Sequence, residues 1–210
     1  RHSAIQILCY HYPEVGKREE ALKLANEMPD MLVSRDFLLE QIYEGEERIK
    51  QSQNTLIQMI DMSAGSIWWL ISLMDKELTI SQKIELLETA NQLFKLIFKD
   101  DEDSLFFNCR LCRNYNRLAE LWCQLGDITK AMENLLLAER SASAYDKGLD
   151  SGEQTYRSLL ANRCTFNPKE VGKNWEGTET DLVLKNMDKS VFDSMRSMDS
   201  FCALQNRLRA

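Results

Sequence analysis

Residues 112–145 read CRNYNRLAELWCQLGDITKAMENLLLAERSASAY, and the fold turns on how they are divided. Tyr115, Leu118, Ala119 and Trp122 are spaced by three, one and three, which places them on one face of a helix. Ala131, Leu135 and Ala138, spaced by four and three, form a second such face. Gly126-Asp127 lies between them. A glycine there adopts the left-handed conformation that closes a helix. An aspartate next to it accepts from the unpaired N–H groups that open the following one. The spacing therefore predicts a hairpin of two helices. Ala119, Ala131 and Ala138 let the helices approach closely, and Tyr115 and Trp122 fill the space between neighbouring hairpins.

The rest of the chain fits the same class. Its 210 residues hold only 3 Pro and 8 Gly, too few for the many turns of an all-β protein. Leu, Glu, Lys, Ala, Met and Gln, all good helix formers, dominate. An all-α fold is expected. The net charge is −7 and no basic block exceeds two residues, so the electrostatic footprint of a nucleic-acid-binding domain is missing. Cys9, Cys109, Cys112, Cys123, Cys164 and Cys202 sit mostly in apolar helical patterns, with no signal peptide and no glycosylation sequon. Free thiols in a reducing cytoplasm are expected. The chain starts with Arg inside a helical pattern, as a fragment would.

Outward from the central hairpin, residues 2–34 form a weaker copy. Ile5, Leu8, Cys9 and Tyr12 precede a turn at Gly16, and Ala21, Ala25 and Met28 follow it. Arg35 to Lys50 reads as one helix and Leu56 to Met74 as the next. The second is long enough to span a bilayer. However, Gln58, Asp61, Gly65, Ser72 and Lys76 run as a polar stripe along it, so a central helix packed on most sides is expected. Thr79 and Gln82 have capping-box spacing ahead of an amphipathic helix, Ile80 to Phe98. Lys99 to Asp103 reads as a solvated turn or helix start. Thr155 to Cys164 is expected to be a short helix ended by Asn167-Pro168, and Lys169 to Thr180 a polar connection. Leu182 to Met195 and Ser200 to Arg209 read as helices, with Asp199 capping the last.

Tyr115, Leu118, Ala119, Trp122, Gly126, Asp127, Ala131, Leu135 and Ala138 each occupy the matching position of the 34-residue tetratricopeptide repeat, which residues 112–145 resemble. The proline that often ends that repeat is replaced by Ser143. Further stretches carry a wider resemblance: Glu20 to Ala25, Ser34 to Leu39, Glu44 to Glu47, Leu159 to Cys164, and Phe192-Asp193 with Phe201 and Leu204. Together they are similar to the C-terminal part of lambda-repressor-like (XRE-type) helix-turn-helix regulators of Gram-positive bacteria. The resemblance implies an α-α superhelix of repeat hairpins over residues 1–150 and a helical extension over 151–210. It also implies a cytoplasmic regulatory domain that senses a peptide or protein, as a homodimer and with no membrane part. DNA would be read only by a missing N-terminal domain.

Such arrays bind ligands on a concave surface made mainly by the first helix of each hairpin. The outward positions there are Arg113, Asn116, Glu120, Cys123 and Gln124. An arginine and an asparagine at this spacing suit a peptide carboxylate or backbone. Catalysis is not expected: nucleophile-elbow, phosphate-loop and HExxH motifs are all absent. Cys109-Arg110-Leu111-Cys112 is a CxxC read as mid-helix, with Cys123 eleven residues on. No histidine completes a zinc set, since His2 and His11 are distant, so no metal or other cofactor is expected. Three functions stay open: a regulatory sensing module, a scaffold docking a protein partner, and an enzyme-associated domain whose cysteines hold metal.

Overall fold

The computed structural model describes residues 44–98, 100–170 and 177–209, together with Leu8, His11, Tyr12, residues 15–17, Glu19, Glu20 and Lys23. Most of the expected first repeat, the segment 35–43 and part of the 169–180 connection lie outside the described residues. Within that first repeat, Gly16 has the positive φ (78°) of a turn.

The described residues are mostly helical. Helix α1 spans Gly45–Leu73, α2 Ile80–Ile97, the single turn α3 Asp101–Ser104, α4 Asn108–Gln124 and α5 Ile128–Asp150. A two-stranded antiparallel ribbon follows, pairing β1 (Gln154–Thr155) with β2 (Thr165–Phe166). Helix α6 (Glu179–Met187), a 3-10 turn over Ser190–Met195 and α7 (Asp199–Arg209) close it.

The central hairpin forms as its spacing predicts. Gly126 has φ of 79°, and Asp127 Oδ1 accepts from Lys130 N at 3.0 Å to open α5. Ala119, Ala131, Leu135 and Ala138 are fully buried between α4 and α5, with Leu118 and Tyr115 nearly so. Trp122 is only partly buried, and its ring is covered by Lys130 Nζ at 3.9 Å. Helix α2 opens on the predicted capping box: Gln82 N donates to Thr79 Oγ1, and Thr79 N donates to Gln82 Oε1 at 2.9 Å. Phe94, Phe107, Phe98 and Tyr156 touch in that order, with ring centroids 5.1–5.3 Å apart, and weld α2 to the segment before α4 and to the ribbon.

Six expectations need correction. The boundary predicted between Lys50 and Leu56 does not exist. The intervening Gln51 to Thr55 holds no Gly or Pro, and one helix runs through it. That helix is not packed on most sides: Met59, Met62, Trp69 and Leu73 are 60%, 72%, 66% and 78% exposed. By length and composition α1 is apolar enough to cross a membrane. Its polar contacts nonetheless tie it into the helical body, since Gln53, Asp61 and Trp68 all bond to later segments.

Residues 155–164 do not form a helix. Their backbone groups are claimed by side chains elsewhere: Arg163 N donates to Gln53 Oε1 at 2.8 Å, and Leu159 O accepts from Gln53 Nε2 at 2.9 Å. Arg157 N and Ser158 N both donate to the Asp103 carboxylate. Asp103 is therefore buried rather than solvated. Finally, Cys109-Cys112 lies at the start of α4 rather than in the middle of a helix. The expected helix at 182–195 starts earlier, at Glu179, and tightens into a 3-10 turn after Met187.

Candidate functional site

The helix face that carries Arg113, Asn116 and Glu120 is not open to solvent. Helix α6 lies across it, held by Asp146 of α5. The Asp146 carboxylate accepts from Glu179 N at 3.0 Å and Thr180 N at 2.9 Å, which caps the α6 N-terminus from outside. Glu179 is 4% exposed and accepts two hydrogen bonds from Arg113, at 2.5 and 3.2 Å. This fork-to-carboxylate pairing fixes α6 to α4, and the Glu179 hydrogen bond raises the Arg113 pKa above its ordinary value.

Beside this clasp lies a cavity of about 530 Å³. Its walls come from Trp68, Ile71 and Ser72 at the C-terminal end of α1, Asp75 just beyond it, Leu87 of α2, Arg113, Asn116, Arg117 and Glu120 of α4, and Leu182, Asn186 and Lys189 of the C-terminal segment. Glu120, almost fully buried, binds two cations: Arg117 Nη1 at 2.6 Å and Lys189 Nζ at 2.5 Å. Asp75 at the rim pairs with Lys83 at 2.7 Å, and that hydrogen bond lowers its pKa. Lys83, Arg113, Arg117 and Lys189 thus face Asp75, Glu120 and Glu179, four cations against three carboxylates. The Asn116 and Asn186 amides, 6% and 7% exposed, meet at 3.4 Å. Asn116 Nδ2 otherwise reaches only Cys112 Sγ at 3.9 Å. Buried amides this loosely bonded retain hydrogen-bonding capacity.

Trp68 forms one wall, half exposed but fixed in orientation. Its Nε1 donates to Asn114 Oδ1 at 2.8 Å, and Asn114 Nδ2 donates to Asn91 Oδ1 at 2.8 Å. On its other side is a second cavity of about 300 Å³, lined by Ala64, Gly65, Trp68, Trp69 and Phe94 with Asp61, Arg110, Arg113 and Asn114. Arg110 and Asp61 pair at its edge at 3.2 Å.

Three of the sequence-predicted positions, Arg113, Asn116 and Glu120, line the first cavity together. Gln124 is exposed and outside it. Cys123 turns to the C-terminal segment, its Sγ 2.9 Å from Val191 O. Sequence reasoning missed Arg117, which shares their face at four residues from Arg113 and could have been found from that spacing. It also missed Trp68, Asn186 and Lys189, which approach from distant segments and leave no local signal.

The CxxC thiols are buried. Desolvation pushes Cys109 up to about 12 and Cys112 well above its ordinary value, opposite to the lowered pKa of a reactive pair. Among the described residues no cluster of three or more His, Cys, Asp or Glu is placed to hold a metal ion. No protein-family model, no curated protein and no solved structure matches this chain.

Proposed function

We propose that this chain is a ligand-sensing domain built on tetratricopeptide-like helical hairpins, and that it binds a peptide end in the cavity between α1, α4 and α6. The carrying observation is the convergence of Arg113, Arg117 and Lys189 on a cavity floored by the loosely bonded Asn116–Asn186 pair. A peptide carboxylate matches the surplus cation, its backbone matches the two amides, and Trp68 offers a rigid apolar wall. Residues 151–210 contribute Leu182, Asn186 and Lys189 to this site, so a ligand seated there bears on how α6 rests on α4. Such a ligand shifts a regulatory equilibrium only through its different affinity for two placements of α6. In this reading the domain is the sensing part of a helix-turn-helix regulator of the XRE type, active as a cytoplasmic homodimer, with DNA contacted by a domain N-terminal to Arg1.

Affinity selection tests the binding claim. The immobilised protein is exposed to a pool of N-acetylated random heptapeptides with free C-termini, and retained peptides are read by mass spectrometry. Retention is expected, and it should fall about tenfold when the pool is amidated at its C-terminus. Lys189→Ala and Arg117→Ala each leave Glu120 one cationic partner, so both keep the fold and should weaken retention. Equal retention of free and amidated pools overturns the carboxylate assignment.

A second reading, a scaffold that docks a protein partner, rests on the exposed Met59, Met62, Trp69 and Leu73 of α1. It predicts that Met62→Ser with Leu73→Ser, both outside the two cavities, abolishes partner capture while peptide retention is unchanged.

A further inference from the structure

Helix α1 carries a glycine that its backbone does not require. Gly65 sits in the middle of a 29-residue helix, without the positive φ that calls for glycine elsewhere in the chain. A Cβ built on it meets nothing within 4 Å, so no close-packed neighbour excludes a side chain either. Glycine in a helix interior is destabilising relative to alanine. What its bareness does here is leave space. Gly65 borders the 300 Å³ cavity, one helical turn from Trp68 and Trp69, and any larger residue would project into it.

That cavity is apolar within and charged at its rim. Ala64 and Phe94 are buried, Trp68 is half exposed and Trp69 exposed, and Arg113 and Arg110, the latter paired with Asp61, lie at the edge. Trp68 and Arg113 line both cavities, so the two are adjacent across a common wall. The hydrogen bond from Trp68 to Asn114 holds that wall still. For comparison, a dry cavity of about 150 Å³ already accepts benzene.

We infer that the second cavity is the specificity pocket for an aromatic or branched aliphatic side chain at the C-terminal residue of the ligand, and that Gly65 sets its size. This rests on the carboxylate-binding reading above. The carboxylate sits with Arg113, Arg117 and Lys189, and the adjoining side chain passes Trp68 into the space over Gly65. The cations at the rim select the acidic end, and the apolar lining selects what is attached to it.

The test divides the heptapeptide pool into four sub-pools ending in Gly, Ala, Leu or Phe. Each is applied to the wild type, Gly65→Ala and Gly65→Leu. The wild type is expected to retain the Leu and Phe sub-pools about tenfold more than the Gly sub-pool. Gly65→Leu should bring all four to the level of Gly. Gly65→Ala should keep Leu and lose Phe. Circular dichroism of the variants should match the wild type, since nothing crowds position 65. An unchanged preference in Gly65→Leu overturns the pocket while leaving the carboxylate site standing. Failure of every sub-pool to bind, with or without the variants, removes the peptide reading and the pocket together.

Discussion

The indole Nε1 of Trp68 donates to the Oδ1 of Asn114 at 2.8 Å, joining α1 to α4 through a side chain that is itself buried. Asn114 passes the connection to Asn91 of α2, also at 2.8 Å. Three helices thus meet in one polar relay, and the aromatic wall between the two cavities is its outer end. An amphipathic side chain used this way presents its apolar face to a ligand while its polar edge is held.

Asn114→Leu keeps the volume of the relay's centre and removes its polarity. Asn91 and the Trp68 N–H then lose their partner, which is expected to cost about 1–3 kcal/mol. Urea denaturation measures the loss. The Trp68 indole proton, resolved in a nitrogen-edited spectrum, should shift at the same time. A fully stable variant with that resonance unmoved would show that the relay does not hold the wall.

Arg113 and Glu179 form the clasp beneath α6. Arg113→Ala leaves a buried carboxylate without its cation and should destabilise by roughly 2 kcal/mol, less than a fully buried pair because Arg113 is partly exposed. Glu179→Gln should cost less, because the amide oxygen still accepts from the guanidinium. The double variant should be more stable than Arg113→Ala alone, since it removes the stranded charge. Strict additivity of the two changes would contradict a direct coupling.

Gly65→Ala is expected to stabilise the protein by about 0.5–1 kcal/mol, because the helix gains propensity and the added methyl meets nothing within 4 Å. A thermal melt reads this as a raised Tm. A lowered Tm would mean that the helix needs the glycine for packing.

The buried thiols set an alkaline limit. Cys109, pushed up to about 12, and Cys112, pushed up as well, stay neutral in the fold, whereas unfolded thiols ionise near pH 8.5. The unfolded chain therefore releases protons first as pH rises. Their stabilisation is complete below about pH 8.5 and declines above it toward 12. Urea midpoints should fall between pH 8 and pH 10, and Cys109→Ala with Cys112→Ala should flatten that fall. In the same range a thiol-specific dye should label exposed Cys202 at once and the CxxC pair only on unfolding. Rapid native labelling of Cys112 would count against its burial.

Local signals were legible in the sequence. Gly126-Asp127 and the Thr79/Gln82 box predicted helix ends because capping acts within a few residues, and the alanine spacing predicted the α4–α5 seam. Helix α1 misled the reading, since an apolar composition does not reveal how much of a helix is covered. The helical pattern at 155–164 yields a loop because Gln53 and Asp103, more than fifty residues away, take hydrogen bonds a helix would use. Arg113, Asn116 and Glu120 line one cavity, as their helical spacing allows. Their covering by α6 depends on Asp146 and Glu179 meeting across the chain, which no periodicity encodes.

The central claim is that a ligand seats against Trp68. It is tested most directly by titrating the nitrogen-15-labelled protein with the best-retained free-acid heptapeptide and following the tryptophan indole resonances. Trp68 should move saturably, while Trp122, packed under Lys130 outside both cavities, stays in place. Binding that saturates with the Trp68 resonance unmoved would contradict the account.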